Sequence, residues 1–389
     1  MALPTTIASV AIPSFDSYVG PFISSGGNVY TCLVDPGPVS NTIQIHKATD
    51  PTSSFAEQDV ANRPGTTDHI RALKVIQDGN DLHIVHQENV TSRVGYSVFH
   101  MSTDFWDGTL VDELIEIPNN ASVGVWSCAI ALMDGKVVVL YTGDTDSVMG
   151  TPYNRVDYAI KNGTWSVGNA VDNAGEDHWY GSVIVPSNAA GHRVHFFFQN
   201  KNLNDAYQRT LSAIDTTPVL EIFPSAGDAT VDPGSNHVFR SGISYDDGGT
   251  QRIRCPYRDS PAKVSYAEFD SVDAPGAFTP NVDISDNTVY GFDAGPVACL
   301  AVDGTDEHLL YSNNVDQFLY HDKNKGIDVE ILGAVFIKHV SCNVYNRSGG
   351  TKLAYVYRDD ATIKYNELDL AVAASRTPYT NRYQSLLAQ

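Results

Sequence analysis

Three histidines and two arginines stand in matching settings along this chain, each just ahead of, or entering, an apolar run. They occur in Asp68-His69-Ile-Arg71, Asp177-His178-Trp179-Tyr180 and His237-Val-Phe239-Arg240. Trp126 and Tyr290-Gly-Phe292-Asp293 hold equivalent places. Two imidazoles and a phenol converging on one cleft could carry general acid–base chemistry, with an arginine neutralising a substrate carboxylate. That set suits elimination on a uronic-acid sugar. Hydrolysis of a glycosidic bond asks instead for two carboxyl groups about 5–9 Å apart; Asp68, Asp177 and Asp293 are the acids these segments offer. The same residues fit plain binding, because aromatic faces beside amides, carboxylates and guanidinium groups match the C–H faces and hydroxyl edges of a sugar. The ligand-binding candidates are His69, Arg71, Trp126, His178, Tyr180, His237, Arg240 and Asp293.

Segments that leave the next apolar runs carry related chemistry: His86-Gln87-Glu88, Gln199-Asn200-Lys201, Tyr257-Arg258-Asp259 and Tyr357-Arg358-Asp359. The last two are the same trio. A trio repeated at one position serves packing and local ion pairing more readily than a unique site. His83, His195 and His308 lie inside apolar runs and read as core hydrogen bonders. No GxSxG, HExxH, phosphate-loop or EF-hand pattern occurs, so no cofactor or metal is implied.

The elements that must position these groups repeat. An alternating phrase around a tyrosine appears as Arg93-Val-Gly-Tyr96, Arg155-Val-Asp-Tyr158, Asp205-Ala-Tyr207, Lys263-Val-Ser-Tyr266, Gln317-Phe-Leu-Tyr320 and Thr362-Ile-Lys-Tyr365. Thr42-Ile-Gln-Ile45 fills the same slot without the ring. The mean spacing is about 53 residues, within the range of propeller blades. Ahead of each phrase come an apolar run, a Gly/Asp/Asn turn, a second apolar run and a polar loop. Asp134-Gly135 between two such runs is a strong hairpin signal. The pattern predicts an all-β, seven-bladed β-propeller of four-stranded antiparallel blades over residues 1–370, with a C-terminal tail at 371–389. The last copy lacks a fourth strand, and residues 5–12 read as a strand without a blade. They are expected to supply that outer strand and close the ring, which removes open sheet edges. In such a ring the candidate residues gather around one end of the central channel.

Among 389 residues, 46 are acidic and 25 basic, for a formal charge of −21. A field of that sign repels phosphate backbones and anionic membranes, which excludes nucleic acid as a partner. No stretch approaches the roughly 20 apolar residues of a membrane-spanning helix. The N-terminus has no positive charge before Lys47, so no secretory signal is read there. Cytoplasmic synthesis is the expectation, with exit by lysis or within a larger particle. Cys32, Cys128, Cys255, Cys299 and Cys342 are scattered without a CxxC pair and are expected to be free thiols in different blades.

The segment from Asp68 to His86, with its Asp78-Gly79 turn and Leu82-His83 strand, resembles the sialidase-related propellers that carry BNR-type repeats, and polysaccharide lyases among them. The full Asp-box is absent, and Asn162-Gly-Thr-Trp165 is a fragment of it. The stretch Arg252 to Phe269 is similar in texture to propeller proteins of tailed bacteriophages. These likenesses imply a propeller that binds surface glycans without catalysis, as a virion spike, fibre or decoration protein. The partners are then glycans or other virion proteins, and self-association into a homo-oligomer is compatible. A carbohydrate-active lyase or hydrolase with its site at the channel mouth is the alternative, and an intracellular protein-interaction platform is a third reading.

Overall fold

The structure is a computed structural model. It describes residues 3–9, 18–35, 41–66, 69–88, 93–116, 127–143, 155–172, 179–187, 193–200, 205–212, 219–221, 228–230, 242–247, 250–259, 263–270, 291–292, 295–296, 298–303, 306–312, 318–322, 327–332, 337–347, 349–359 and 362–370. Strand β1 (Thr5–Ser9) stands alone in sequence. The first sheet holds β2 (Tyr18–Ile23), β3 (Val29–Val34), β4 (Ile43–Ala48) and β5 (Ala56–Gln58). The second holds β6 (Ile70–Asp78), β7 (Asp81–Glu88), β8 (Val94–His100), β9 (Phe105–Trp106) and β10 (Glu113–Glu116). The third holds β11 (Cys128–Met133), β12 (Lys136–Gly143), β13 (Arg155–Asn162) and β14 (Thr164–Asp172). The fourth holds β15 (Trp179–Ser187), β16 (Arg193–Asn200), β17 (Asp205–Ser212), β18 (Val219–Glu221) and β19 (Asp228–Thr230). The fifth holds β20 (Ile243–Asp247), β21 (Thr250–Asp259) and β22 (Lys263–Asp270); β23 (Gly291–Phe292) and β24 (Gly295–Pro296) form a short ladder apart. The sixth holds β25 (Ala298–Asp303), β26 (Asp306–Ser312), β27 (Phe318–Asp322) and β28 (Ile327–Leu332). The seventh holds β29 (Ile337–Arg347), β30 (Gly350–Asp359) and β31 (Thr362–Asp369), with β1 on its edge.

Each of the seven repeated phrases forms, in whole or in part, the third strand of its sheet: β4, β8, β13, β17, β22, β27 and β31. The ladders are antiparallel, as hairpin connections require. The Asp134-Gly135 turn has positive φ at both residues, 52° and 69°, which matches the twist of the two strands it joins. β1 pairs with β31, Thr5 opposite Tyr365 and Ser9 opposite Thr362. The first strands touch in cyclic order: β2 with β6, β6 with β11, β11 with β15, β15 with β20, β20 with β25, β25 with β29, and β29 with β2.

The second strands read as unbroken apolar runs because both faces of their sheets are covered. Val137, Val139 and Tyr141 of β12 pack against Val85, Val94 and Tyr96 of the second sheet. Val138 and Leu140 turn the other way, onto Val194, Phe196 and Phe198 of the fourth. In β30, Leu353, Tyr355 and Tyr357 face the sixth sheet, while Ala354 and Val356 face the first. Burying one such leucine or valine stabilises by about 1.5–3 kcal/mol.

Polar clips reinforce these seams. Gln87, fully buried, donates from Nε2 to the Thr142 carbonyl at 3.0 Å and accepts from the Ser127 amide at 3.2 Å. Tyr30 donates to Asp104 at 2.7 Å, and Lys47 pairs with the same carboxylate at 2.6 Å. Arg254 and Glu307, both buried, pair across the fifth and sixth sheets. Between the seventh and first sheets, the Gly20 amide donates to Ser341 Oγ at 3.1 Å and the Thr5 hydroxyl to the Pro51 carbonyl at 2.6 Å. Glu367 gathers a larger group at the same seam. Tyr345 and Tyr365 donate to its Oε1 at 3.0 and 2.5 Å, and Arg347 donates at 3.0 and 3.1 Å. The two phenol oxygens also lie in contact, so either hydroxyl could give its proton to the other instead of to Glu367, and Arg347 reaches Asp50 at 3.0 Å. Burial and the Glu367 charge push the phenol of Tyr345 upward; for Tyr365 the causes are burial, then Tyr345 and Glu367.

Candidate functional site

At the predicted channel end, His69 is half-buried just ahead of β6, and Arg71 is exposed. Arg71 is the extra residue of a bulge, since the β6–β7 register shifts between Ile70 and Ala72. Bulges re-aim a side chain without ending a strand. Register shifts recur near the start of β2, between Val19 and Phe22, of β15, between Gly181 and Val183, and of β29, between Ile337 and Val340. Tyr180 lies in β15 opposite Gln199. Trp126, His178, His237, Arg240 and Asp293 lie outside the described residues.

The exit of β7 is used for internal pairing. Glu88 has a fully buried side chain and accepts from Arg93 at 3.2 Å. Arg93 also holds Asp112, through Oδ1 at 2.5 Å and the carbonyl at 2.8 Å. The buried His86 ring places Nε2 3.4 Å from Asp112 Oδ1. Burial pushes the Asp112 carboxyl upward, but His86 and Arg93 outweigh it and hold its pKa below the ordinary range. Gly95 makes room for the imidazole, because a Cβ there would lie 2.5 Å from His86 Nε2 and 2.9 Å from Asp112 Oδ1. Tyr357 and Arg358 are buried as well, and Lys364 pairs with Asp359. The repeated Tyr-Arg-Asp trio is thus built into its sheet, at the one copy whose side chains are described throughout.

A different set of groups meets at the seam of the second and third sheets. The hairpin joining β13 to β14 carries Lys161 and Trp165 across to β8 and β10 of the preceding sheet. Lys161 Nζ lies 5.2 Å from the ring centroids of both Tyr96 and Trp165 and pairs with Glu113. The two rings meet edge to face, centroids 5.3 Å apart at 77°. Behind them the Tyr96 hydroxyl is 2.5 Å from His83 Nδ1. Burial lowers the His83 pKa, with His100 adding and Asp78 and Asp81 opposing. Trp165, Lys161 and Glu113 are partly exposed, whereas Tyr96 is buried. The result is a partly exposed indole beside one ammonium and one carboxylate, both immobilised. Such a niche offers an aromatic face to C–H groups and a fixed donor and acceptor to hydroxyls. Lys161 and Glu113 come from different sheets, so sequence spacing gives no sign of the pair. In the sequence Trp165 stands out as the end of the Asp-box fragment Asn162-Gly-Thr-Trp165.

Comparison with solved structures supplies the fold. BP39L lectin from Burkholderia pseudomallei superposes over 92% of this chain and 96% of its own, at 10% identity and a TM-score of 0.58. The fold is a β-propeller. Aleuria aurantia lectin, a six-bladed propeller that recognises fucose, covers 82% of this chain and 95% of its own at 12% identity and a TM-score of 0.46. No family model matches the chain, and no curated protein does. The propeller expected from the repeat is therefore present, while these likenesses are to lectins and do not reach the sialidase-related or phage propellers that its phrases resemble. Among the described residues, no group of three His, Cys, Asp or Glu side chains could hold a metal ion.

Proposed function

We propose that this chain is a carbohydrate-binding propeller that takes a neutral glycan at the seam of its second and third blades. One observation carries the reading: Trp165 is partly exposed and flanked by Lys161 and Glu113, which already neutralise each other. A site with no spare charge, on a chain of net charge −21, favours hydroxyl-bearing sugars over sialylated or uronate ones. The lectin fold of BP39L over 92% of the chain supports the same class of function. The proposal includes a ring of seven blades closed by β1, supported by the cyclic contacts of the first strands and by the β1–β31 ladder. It also includes a second contact region at the channel mouth, around His69, Arg71, Trp126, His178, Tyr180, His237, Arg240 and Asp293, and a setting on a virion surface. A glycan array read with the parent and Trp165→Ala tests the binding claim. Retention of neutral glycans by the parent and their loss in the variant is expected. Binding confined to acidic glycans, or unchanged by the substitution, overturns it. Mass spectrometry of purified particles tests the setting.

A further inference from the structure

Two cysteines that the proposed function leaves unused sit face to face across another seam. Cys299 is in β25 and Cys342 in β29, the first strands of the sixth and seventh blades. Their Sγ atoms are 2.7 Å apart although the residues are 43 positions apart in sequence. The Cys342 amide also donates to Cys299 Sγ at 3.1 Å. Both thiols are free, Cys299 buried and Cys342 partly exposed. Two non-bonded sulfurs do not rest comfortably at that separation, and strand pairing within each blade fixes both backbones. Little movement separates this arrangement from a bond. Cys32, Cys128 and Cys255 are buried in other blades.

We infer that Cys299 and Cys342 are a disulfide-forming pair that links the sixth and seventh blades when the protein meets a low-molecular-weight disulfide. The Cys342 thiolate attacks one sulfur of the reagent and releases one small thiolate, leaving a mixed disulfide on Cys342. The Cys299 thiolate then attacks the Cys342 sulfur and releases the second. Two protein thiols are oxidised, one small disulfide is reduced, and the two protons leave with the two released thiols. Cys342 is the entry point because it is the less buried member. Burial and the neighbouring sulfur hold the Cys342 thiol well above its ordinary range, so the first step is slow. The expectation of free thiols rested on their lying in different blades, and different blades do not keep these two apart.

The test is oxidation of the native full-length chain by oxidised glutathione, followed by denaturation, alkylation and peptide mapping. The expected product is one Cys299–Cys342 cross-link, with Cys32, Cys128 and Cys255 alkylated and no glutathione retained. The cross-linked form should melt about 5 °C higher, from loop closure between the two sites. Cys342→Ser should take up no glutathione and form no bridge, whereas Cys299→Ser should stop at a mixed disulfide on Cys342. Five alkylated thiols after prolonged exposure would overturn the inference. So would a stable glutathione adduct in the parent, or a bridge to another cysteine.

Discussion

Replacing Glu367 tests how the seventh sheet is tied to the first. Its side chain is 8% exposed and accepts four hydrogen bonds, two from phenols and two from Arg347. In Glu367→Ala one phenol can still donate to the other. One buried O–H is then left without an acceptor, at a cost of about 1–3 kcal/mol. Arg347 keeps Asp50, but that carboxylate is 57% exposed and holds it weakly. Losing the buried half of the pair adds about 1 kcal/mol, for a total near 3 kcal/mol. A chain of this length unfolds with an entropy of about 0.8 kcal/mol per kelvin, so the melting temperature should fall by about 4 °C. Glu367→Gln retains an acceptor oxygen for the phenols but turns an amide N–H toward the guanidinium, and should lose about half as much. Differential scanning calorimetry at neutral pH is the assay. If the alanine variant melts within a degree of the parent, or the two variants melt alike, Glu367 does not organise this seam.

Gly95→Ala places a methyl group 2.5 Å from His86 Nε2 in a fully buried setting; a loss of about 1–3 kcal/mol in urea denaturation is expected, and an unchanged midpoint would contradict the packing. Deleting residues 1–9 removes the partner of β31 and bares its edge, so light scattering should show self-association along with a lower melting temperature; a monomer of parental stability would refute the role given to β1. Burial lowers the His195 pKa to about 3 and the His46 pKa to about 4, with Arg193 and Arg63 adding to the effect. Both values are depressed from about 6.5, so the folded chain binds fewer protons than the unfolded one. Stability from these two groups is complete above pH 6.5 and falls as pH drops, by about 5 kcal/mol at pH 4.5. His195→Asn should flatten that decline in melting temperature, and a parallel decline in both proteins would refute the assignment.

The repeat was legible because covering both faces of a sheet leaves few choices for its middle strands. Lys136-Val-Val-Val-Leu-Tyr141 is apolar at nearly every position since Val137 and Val138 face different neighbours. Asp134-Gly135 announced its hairpin through the backbone it requires, and β1 was found from the place its absence left at Tyr365. The bulge at Arg71 had no such sign, because an extra residue in an edge segment changes neither composition nor period. Gln87 and Glu88 looked like mouth chemistry and proved to be pairing groups, Glu88 with Arg93, since polar groups at a strand exit are equally useful to a seam.

The sites that sequence reading missed share a cause. Residues on facing strands of successive blades become neighbours once the blades pack side by side, however far apart they lie in the chain. Lys161 meets Glu113 that way, and Cys299 meets Cys342. Distance along the chain, or membership of different blades, therefore argues nothing against contact in a repeat fold. The useful comparison is between positions in consecutive repeats. Cys299 is the second residue of β25, whereas Cys342 is the sixth of the longer β29. They come opposite because β29 starts earlier than β25 relative to its neighbour and carries one extra, bulged residue before its regular ladder resumes at Val340. The extra residue of that bulge shifts which residues of β29 face β25, and so helps set which sulfur faces which.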